Sequence, residues 1–230
     1  VERNAGGYDL PAITAPLGGF GDVVATPLAR WDAVWYLSIA VDGYDGADSP
    51  RHAFFPLYPV VARGVAMLGG GGAAAVLIAS YLVALAAFLA ALVLLHRLTA
   101  FELGRAAAWP TVLLISVFPA SLYFGAPYSE SLFLLCSVGA FYAARRGSWA
   151  LAGVAAGCAS ATRSAGILLL LPLALLYWQQ SHRRLGRDAL WLALAPVGLL
   201  AYAAFLGSVY GDPLSFSRVQ EFWSREFAGP

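Results

Sequence analysis

Apolar residues run through this chain in long blocks, separated by short polar clusters. Ala73–Leu95 is the clearest block, uncharged and closed by His96 and Arg97. It predicts a membrane-crossing helix, because about 20 apolar residues span a hydrocarbon core. Ala106–Phe124 predicts a second span, interrupted by Pro110 and Pro119, and Ser131–Ala144 a third, ending at Arg145 and Arg146. Ala189–Tyr210 predicts the last. Trp149–Trp178 is too long for one upright helix, short for two, and holds Arg163 in its middle. Residues 1–30 are rich in Gly and Pro without a sustained period and read as a loop. Trp31, Val34, Trp35 and either Ile39 or Leu37 recur at helical spacing, so Arg30–Tyr44 predicts a short amphipathic helix. Ala53–Leu68 is apolar but short, holds Pro56, Pro59 and Arg63, and reads as interfacial or re-entrant.

The basic clusters give the membrane a direction. His96/Arg97/Arg105, Arg145/Arg146 and His182/Arg183/Arg184/Arg187 should all face the cytoplasm. Two spans join the first cluster to the second. An even number of crossings must also join the second to the third, so Trp149–Trp178 should be a tight pair of short helices bent near Thr162–Gly166. Five polar segments then share the opposite face: Arg30–Tyr44, His52–Pro59, Phe124–Ser131, Ala161–Gly166 and Gly211–Trp223.

Composition agrees with a lipid solvent. Hydrophobic residues make up 60% of the chain and charged residues 12%, against roughly 25% charged in ordinary soluble domains. The fold class expected is all-α, polytopic and membrane-embedded, with one transmembrane domain over residues 1–230, helices between 73 and 210, and a non-cytoplasmic loop over 1–60 carrying short amphipathic helices. The sequence reads as a fragment, with a first helix and C-terminal helices expected outside it. No basic stripe with interleaved aromatics suggests nucleic acid. Cys136 and Cys158 lie in apolar runs and read as small buried hydrophobes.

The polar segments each carry a plain reading and a chemical one. Asp32 opens a helix, where a carboxylate complements the dipole; held at a dry interface, it could instead be tuned for proton abstraction. Asp42, Asp45 and Asp48 form a solvated turn and miss the calcium-loop register. His52–Pro59 is an aromatic belt, or a rigid wall for lipid or sugar with His52 donating to phosphate. Glu130 sits where Ser129 or Tyr128 could cap a helix. Arg163 is costly amid apolar residues, by a few kcal/mol on insertion scales. It should pair with a carboxylate such as Glu130 or bind an anion, phosphate being the natural one. Gly211–Phe216 reads as a turn, followed by a surface helix over Ser215–Trp223.

Together the stretches RWDAVWYLSIAVDGY, AFFPLYP, FPASLYFGAPYSES, ATRSAGILL and GDPLSF resemble, in order, the PIG-V-like mannosyltransferases (the GPI second-mannose type and bacterial relatives) of the GT-C superfamily. They cover most of residues 28–216. The resemblance implies a GT-C-like glycosyltransferase core and a polyprenyl- or dolichyl-phosphate-linked sugar as donor. The acceptor would be a glycan or glycolipid. It implies Asp32 as the catalytic carboxylate, with Arg30, Trp31, Tyr36, His52, Tyr58, Tyr128, Glu130, Arg163 and Ser164 binding donor or substrate. No metal or cofactor is demanded. The setting is a multi-pass membrane protein among membrane lipids, bacterial plasma membrane or endoplasmic reticulum. A transporter, or a non-catalytic membrane subunit, is the rival reading; a transporter predicts paired broken helices, of which the sequence offers one.

Overall fold

The computed structural model describes residues 10–181 and 186–223. These residues form helices α1 (Pro11–Thr14), α2 (Gly19–Ala25), α3 (Asp32–Asp42), α4 (Leu57–Ala66), α5 (Ala73–Leu103), α6 (Arg105–Val117), α7 (Leu122–Gly125), α8 (Glu130–Arg145), α9 (Trp149–Thr162), α10 (Leu170–Gln180), α11 (Val197–Tyr210) and α12 (Ser215–Arg218). Tighter 3-10 turns join several of them, including Ser164–Leu169 and Arg187–Leu194. The chain divides into two compact units, one up to Ser80 and again from Leu200, the other Tyr81–Leu199. His182, Arg183 and Arg184 of the third basic cluster lie outside the described residues.

The first unit is held by aromatic rings. Trp35 stacks on Phe54 at 5.9 Å, and Tyr36 meets the edges of Phe54 and Tyr58 at 5.1 and 5.3 Å. Tyr202 of α11 packs on Phe55 at 4.9 Å and donates from its hydroxyl to the His52 carbonyl at 3.0 Å. Residues 11–28, read as loop, instead contain short helical turns. They are tied locally: Asp22 accepts from the amides of Leu17 and Gly18 at 2.9 and 2.7 Å. Such side-chain capping needs no hydrophobic period, which is why the pattern did not show it.

In the second unit α8 and α9 pack antiparallel along their lengths. Their seam is Ala140, Ala143 and Ala144 against Ala152 and Ala156, all buried. Small residues let helices approach closely where lipid supplies no hydrophobic drive. On α9, Gly153 and Gly157 face the carbonyls of Trp191 and Leu194 so closely that no Cβ fits between.

The segment 149–180 folds back on itself. α9 ends at Thr162, Arg163 is extended, and the chain returns through Ser164–Leu169 and α10. The rings of Trp149 and Tyr177 meet at 4.8 Å; one continuous helix would hold them about 42 Å apart. The bend expected near Thr162–Gly166 is therefore present. Gly166 rests on the backbone of Ala159 and Ser160, where a side chain could not sit.

The spans differ in detail from expectation. α5 is the one helix among the described residues long and apolar enough to cross a membrane by itself, and two bent pairs could raise the number to three. α5 continues past Leu95 to Leu103 and stops at Gly104, which has φ +89°. α6 passes through Pro110, and the chain bends by 72° between α6 and Pro119–Gly125, because a residue before proline is pushed to extended geometry. α8 has 16 residues, about 24 Å, less than a core of about 30 Å. Ala189–Tyr210 is not one straight helix: Arg187–Leu194 and α11 meet at 43° beside Pro196.

The close backbone approach at α9 sets a packing test. Gly153→Val should destabilise by at least about 1–3 kcal/mol, the cost of overpacking. Gly64→Ala, where an added Cβ meets nothing, should leave thermal stability unchanged or slightly raised. Thermal unfolding of the two purified variants in detergent measures both.

Candidate active site

In the first unit the site begins with a strained turn. Trp31 has φ +53° and ψ −121°, a conformation that a bulky residue rarely adopts, and its indole is exposed. Backbone strain of this kind is held in place by its surroundings and gathers at functional sites. The turn sets Asp32 as the first residue of α3. Ala33, Tyr36, Leu37 and Ala40 face the interior, and Asp32 and Arg30 lie exposed. From Ala33 on, α3 is buried on nearly every side, including Tyr36 and Ile39, which stand one and two turns from Asp32 on its own face.

Tyr36 is buried between Phe54 and Tyr58. Tyr58 has no exposed surface, and its hydroxyl donates to the Ser80 carbonyl at 2.9 Å. Both therefore anchor α3 in the ring cluster. The acidic turn follows its plain reading. Arg51 reaches Asp42 at 3.6 Å and Asp45 at 3.4 Å and donates to the Gly43 carbonyl at 2.9 Å.

His52 is fully buried. Its Nδ1 lies 2.7 Å from Ser215 Oγ, and Tyr210 covers its ring at 4.7 Å. Its Nε2 is enclosed and has no hydrogen-bond partner among the described residues. Burial lowers the His52 pKa below the ordinary histidine value, against the opposing pull of Asp45, Asp48 and Asp212. The ring is thus neutral near pH 7. Beside it, burial first and Tyr202 second push the Tyr44 hydroxyl well above the usual tyrosine range, and that hydroxyl donates to the Phe54 carbonyl at 2.6 Å. Ser215 is the functional candidate that the sequence reading missed. It lies in GDPLSF, read as a turn, and its partner is 163 positions away.

In the second unit the fold-back brings Arg163 to the start of α8. Its Nη1 pairs with Glu130 Oε1 and lies 3.5 Å from Ser129 Oγ. The pairing expected of an arginine in an apolar segment is therefore present. The two side chains are 39% and 27% exposed, so the pair is open on one side rather than sealed. Glu130 Oε2 is enclosed without a partner among the described residues. Ser131 ties the preceding turn by donating to the Phe124 carbonyl at 2.6 Å. Tyr128 is buried against the edge of Tyr123, and Ser164 is exposed beside Arg163. Of the residues singled out, Arg30, Trp31, Asp32, Tyr36, His52 and Tyr58 fall in the first unit, and Tyr128, Glu130, Arg163 and Ser164 in the second.

The family model described as mannosyltransferase (PIG-V) matches residues 21–185, well over half the chain. This chain belongs to the PIG-V mannosyltransferase family. It is accordingly a glycosyltransferase of the membrane, as the ordered motifs implied, and the transporter and non-catalytic readings fall away. No curated protein and no solved structure matches it. The match takes in the strained Arg30-Trp31-Asp32 turn, the His52 segment, Glu130 and Arg163; Ser215 lies beyond it.

The neutral, buried His52 sets a pH dependence. Its folded-state pKa is depressed, so its contribution to stability is complete above about pH 6.5 and is lost as pH falls toward that lowered value. The melting temperature of this PIG-V family member should drop between pH 7.5 and 5. His52→Asn, which keeps an amide toward Ser215 but cannot charge, should flatten that drop.

Proposed function

We propose that this enzyme moves a mannosyl unit from a polyprenyl- or dolichyl-phosphate donor to an acceptor hydroxyl on the non-cytoplasmic face, with inversion at the anomeric carbon. The observation that carries the reading is the strained turn at Trp31, which presents Asp32 on the exposed first turn of α3 while the rest of that helix is locked into an aromatic core. In this scheme Asp32 takes the proton from the acceptor hydroxyl. The freed oxygen bonds to the anomeric carbon as the bond from that carbon to the phosphate oxygen breaks. Glycosidases need a second carboxyl group to protonate a poor leaving group. A lipid phosphate departs as a stable anion, so one carboxylate suffices.

His52 is a candidate to meet an anionic oxygen of the donor, which requires that its enclosed Nε2 be uncovered. Hydrogen-bond accounting supports its role as a neutral donor. If Ser215 Oγ–H donates to Nδ1, the hydroxyl is satisfied and the ring keeps its proton on Nε2. Nε2–H is then a buried donor seeking an acceptor. The Arg163–Glu130 pair is a second, separately tested candidate for the phosphate: guanidinium binds phosphate oxygens bidentately, and the pair is partly open. The charge bias of the loops supports the non-cytoplasmic face. The same bias fits a plasma membrane in a bacterium or the endoplasmic reticulum in a eukaryote.

The experiment is transfer of labelled mannose from a polyprenyl-phosphate donor by the purified full-length enzyme. Asp32→Asn should lower kcat by about 10²–10⁴ with an unchanged melting temperature; turnover like wild type would remove Asp32 from the role of base. Arg163→Ala should raise the KM for the donor more than that for the acceptor. Equal effects on both would assign Arg163 to structure alone.

A further inference from the structure

A groove of about 400 Å³ opens on the second unit, at the end of α8 remote from Glu130 and Arg163. Three helices line it with one stripe each. Leu98 and Glu102 come from α5, Phe141 and Arg145 from α8, and Pro172 through Gln179 from α10. Spacings of three, four and seven residues put each set on one helix face. In every stripe the polar residue is the one nearest the helix C-terminus. The groove is therefore layered: Glu102, Arg145 and Gln179 form a polar mouth, and Leu98, Phe141 and Leu175 form apolar walls one turn further in.

The mouth carries both signs of charge. Arg145 pairs with Glu102, each about one-third exposed, and Arg145 also lies over the Phe101 ring at 5.7 Å. α5, α8 and α10 all end at this level, at Leu103, Arg145 and Gln180. At the end of α8 the carbonyls of Tyr142, Ala143 and Ala144 already accept from the amides of Arg146, Gly147 and Ser148, but helix C-termini still carry a partial negative charge that favours a cation.

We propose that this groove binds a phospholipid whose headgroup joins a phosphate to a primary ammonium, of which phosphatidylethanolamine is the probe. The phosphate meets Arg145, the ammonium meets Glu102 in the negative field of the helix ends, and one acyl chain lies on Leu98, Phe141 and Leu175. A paired acid and base match a zwitterion better than a net anion. A primary ammonium donates three hydrogen bonds, whereas a choline headgroup donates none. The level agrees with the lipid–water boundary, since Arg146 adjoins the mouth on α8 and the Trp178 ring is exposed on α10. This site serves a structural lipid and does not rest on the mechanism proposed above.

The test uses the full-length protein in detergent, stripped of lipid and then exposed to phosphatidylethanolamine, phosphatidylcholine or phosphatidylglycerol at equal mole fraction. Native mass spectrometry counts retained lipid, and the melting temperature reports stabilisation. Phosphatidylethanolamine should be retained about tenfold over the other two, the discrimination of one charge-assisted hydrogen bond. Glu102→Gln should erase the preference over phosphatidylcholine. Leu175→Trp fills the apolar wall without touching the ion pair, and should reduce retention of all three lipids. Equal retention of the three by wild type overturns the proposal. So does a preference that survives in both variants, or displacement of phosphatidylethanolamine by the polyprenyl-phosphate donor, which would make the groove a donor site.

Discussion

An arginine in the middle of about thirty apolar residues is the constraint on which the second unit is built. Left on a straight helix it would sit in hydrocarbon at a cost of several kcal/mol. The chain answers by ending α9 one residue earlier, turning at Arg163, and returning through α10 until Tyr177 meets Trp149. The turn places the guanidinium on Glu130 at the start of α8. Everything else in the unit accommodates that fold-back. The alanine seam lets α8 and α9 run close enough for their far ends to align. Gly153 and Gly157 admit the Arg187–Leu194 segment against α9.

The first unit solves a different problem with different material. It must hold a short helix at a surface so that one carboxylate and one strained indole face outward. Rings rather than small residues make the set that does this: Tyr36 of α3 packs on Phe54 and Tyr58, and Tyr202 packs on Phe55. The polar atoms inside that set are committed to particular partners, Tyr58 to Ser80, Tyr44 to Phe54 and Tyr202 to His52. His52 Nε2 is the exception, enclosed without a partner among the described residues. Such a rigid aromatic support would hold Asp32 in place for the base role proposed for it.

What could be read from the sequence follows from what each feature costs. The break at Arg163 and its pairing with Glu130 were legible, because a buried charge demands both an exit and a counterion. α3 was legible from its period, whereas Ala53–Leu68 showed only that it is too short for a clean span, not that it holds the helix α4. The end of α5 was not, because His96 and Arg97 mark where lipid ends rather than where hydrogen bonding ends; the helix stops at Gly104, whose positive φ breaks it. The two prolines of the next segment looked alike, yet Pro110 is carried inside α6 and Pro119 follows the bend. Ser215 was invisible as a partner of His52, since a polar residue in a turn carries no signal of what lies across the fold.

The proposed sidedness has the fold-back carry Arg163 to the face opposite the basic clusters. Cysteine accessibility tests this most directly. With Cys136 and Cys158 replaced by Ala in the full-length protein, a single cysteine at Ser164, the exposed tip, or at Ser148, the exposed base, is probed with a membrane-impermeant thiol reagent from either side. The account predicts that Ser164→Cys reacts only from the non-cytoplasmic side and Ser148→Cys only from the cytoplasmic side. Labelling of both from one side would contradict it.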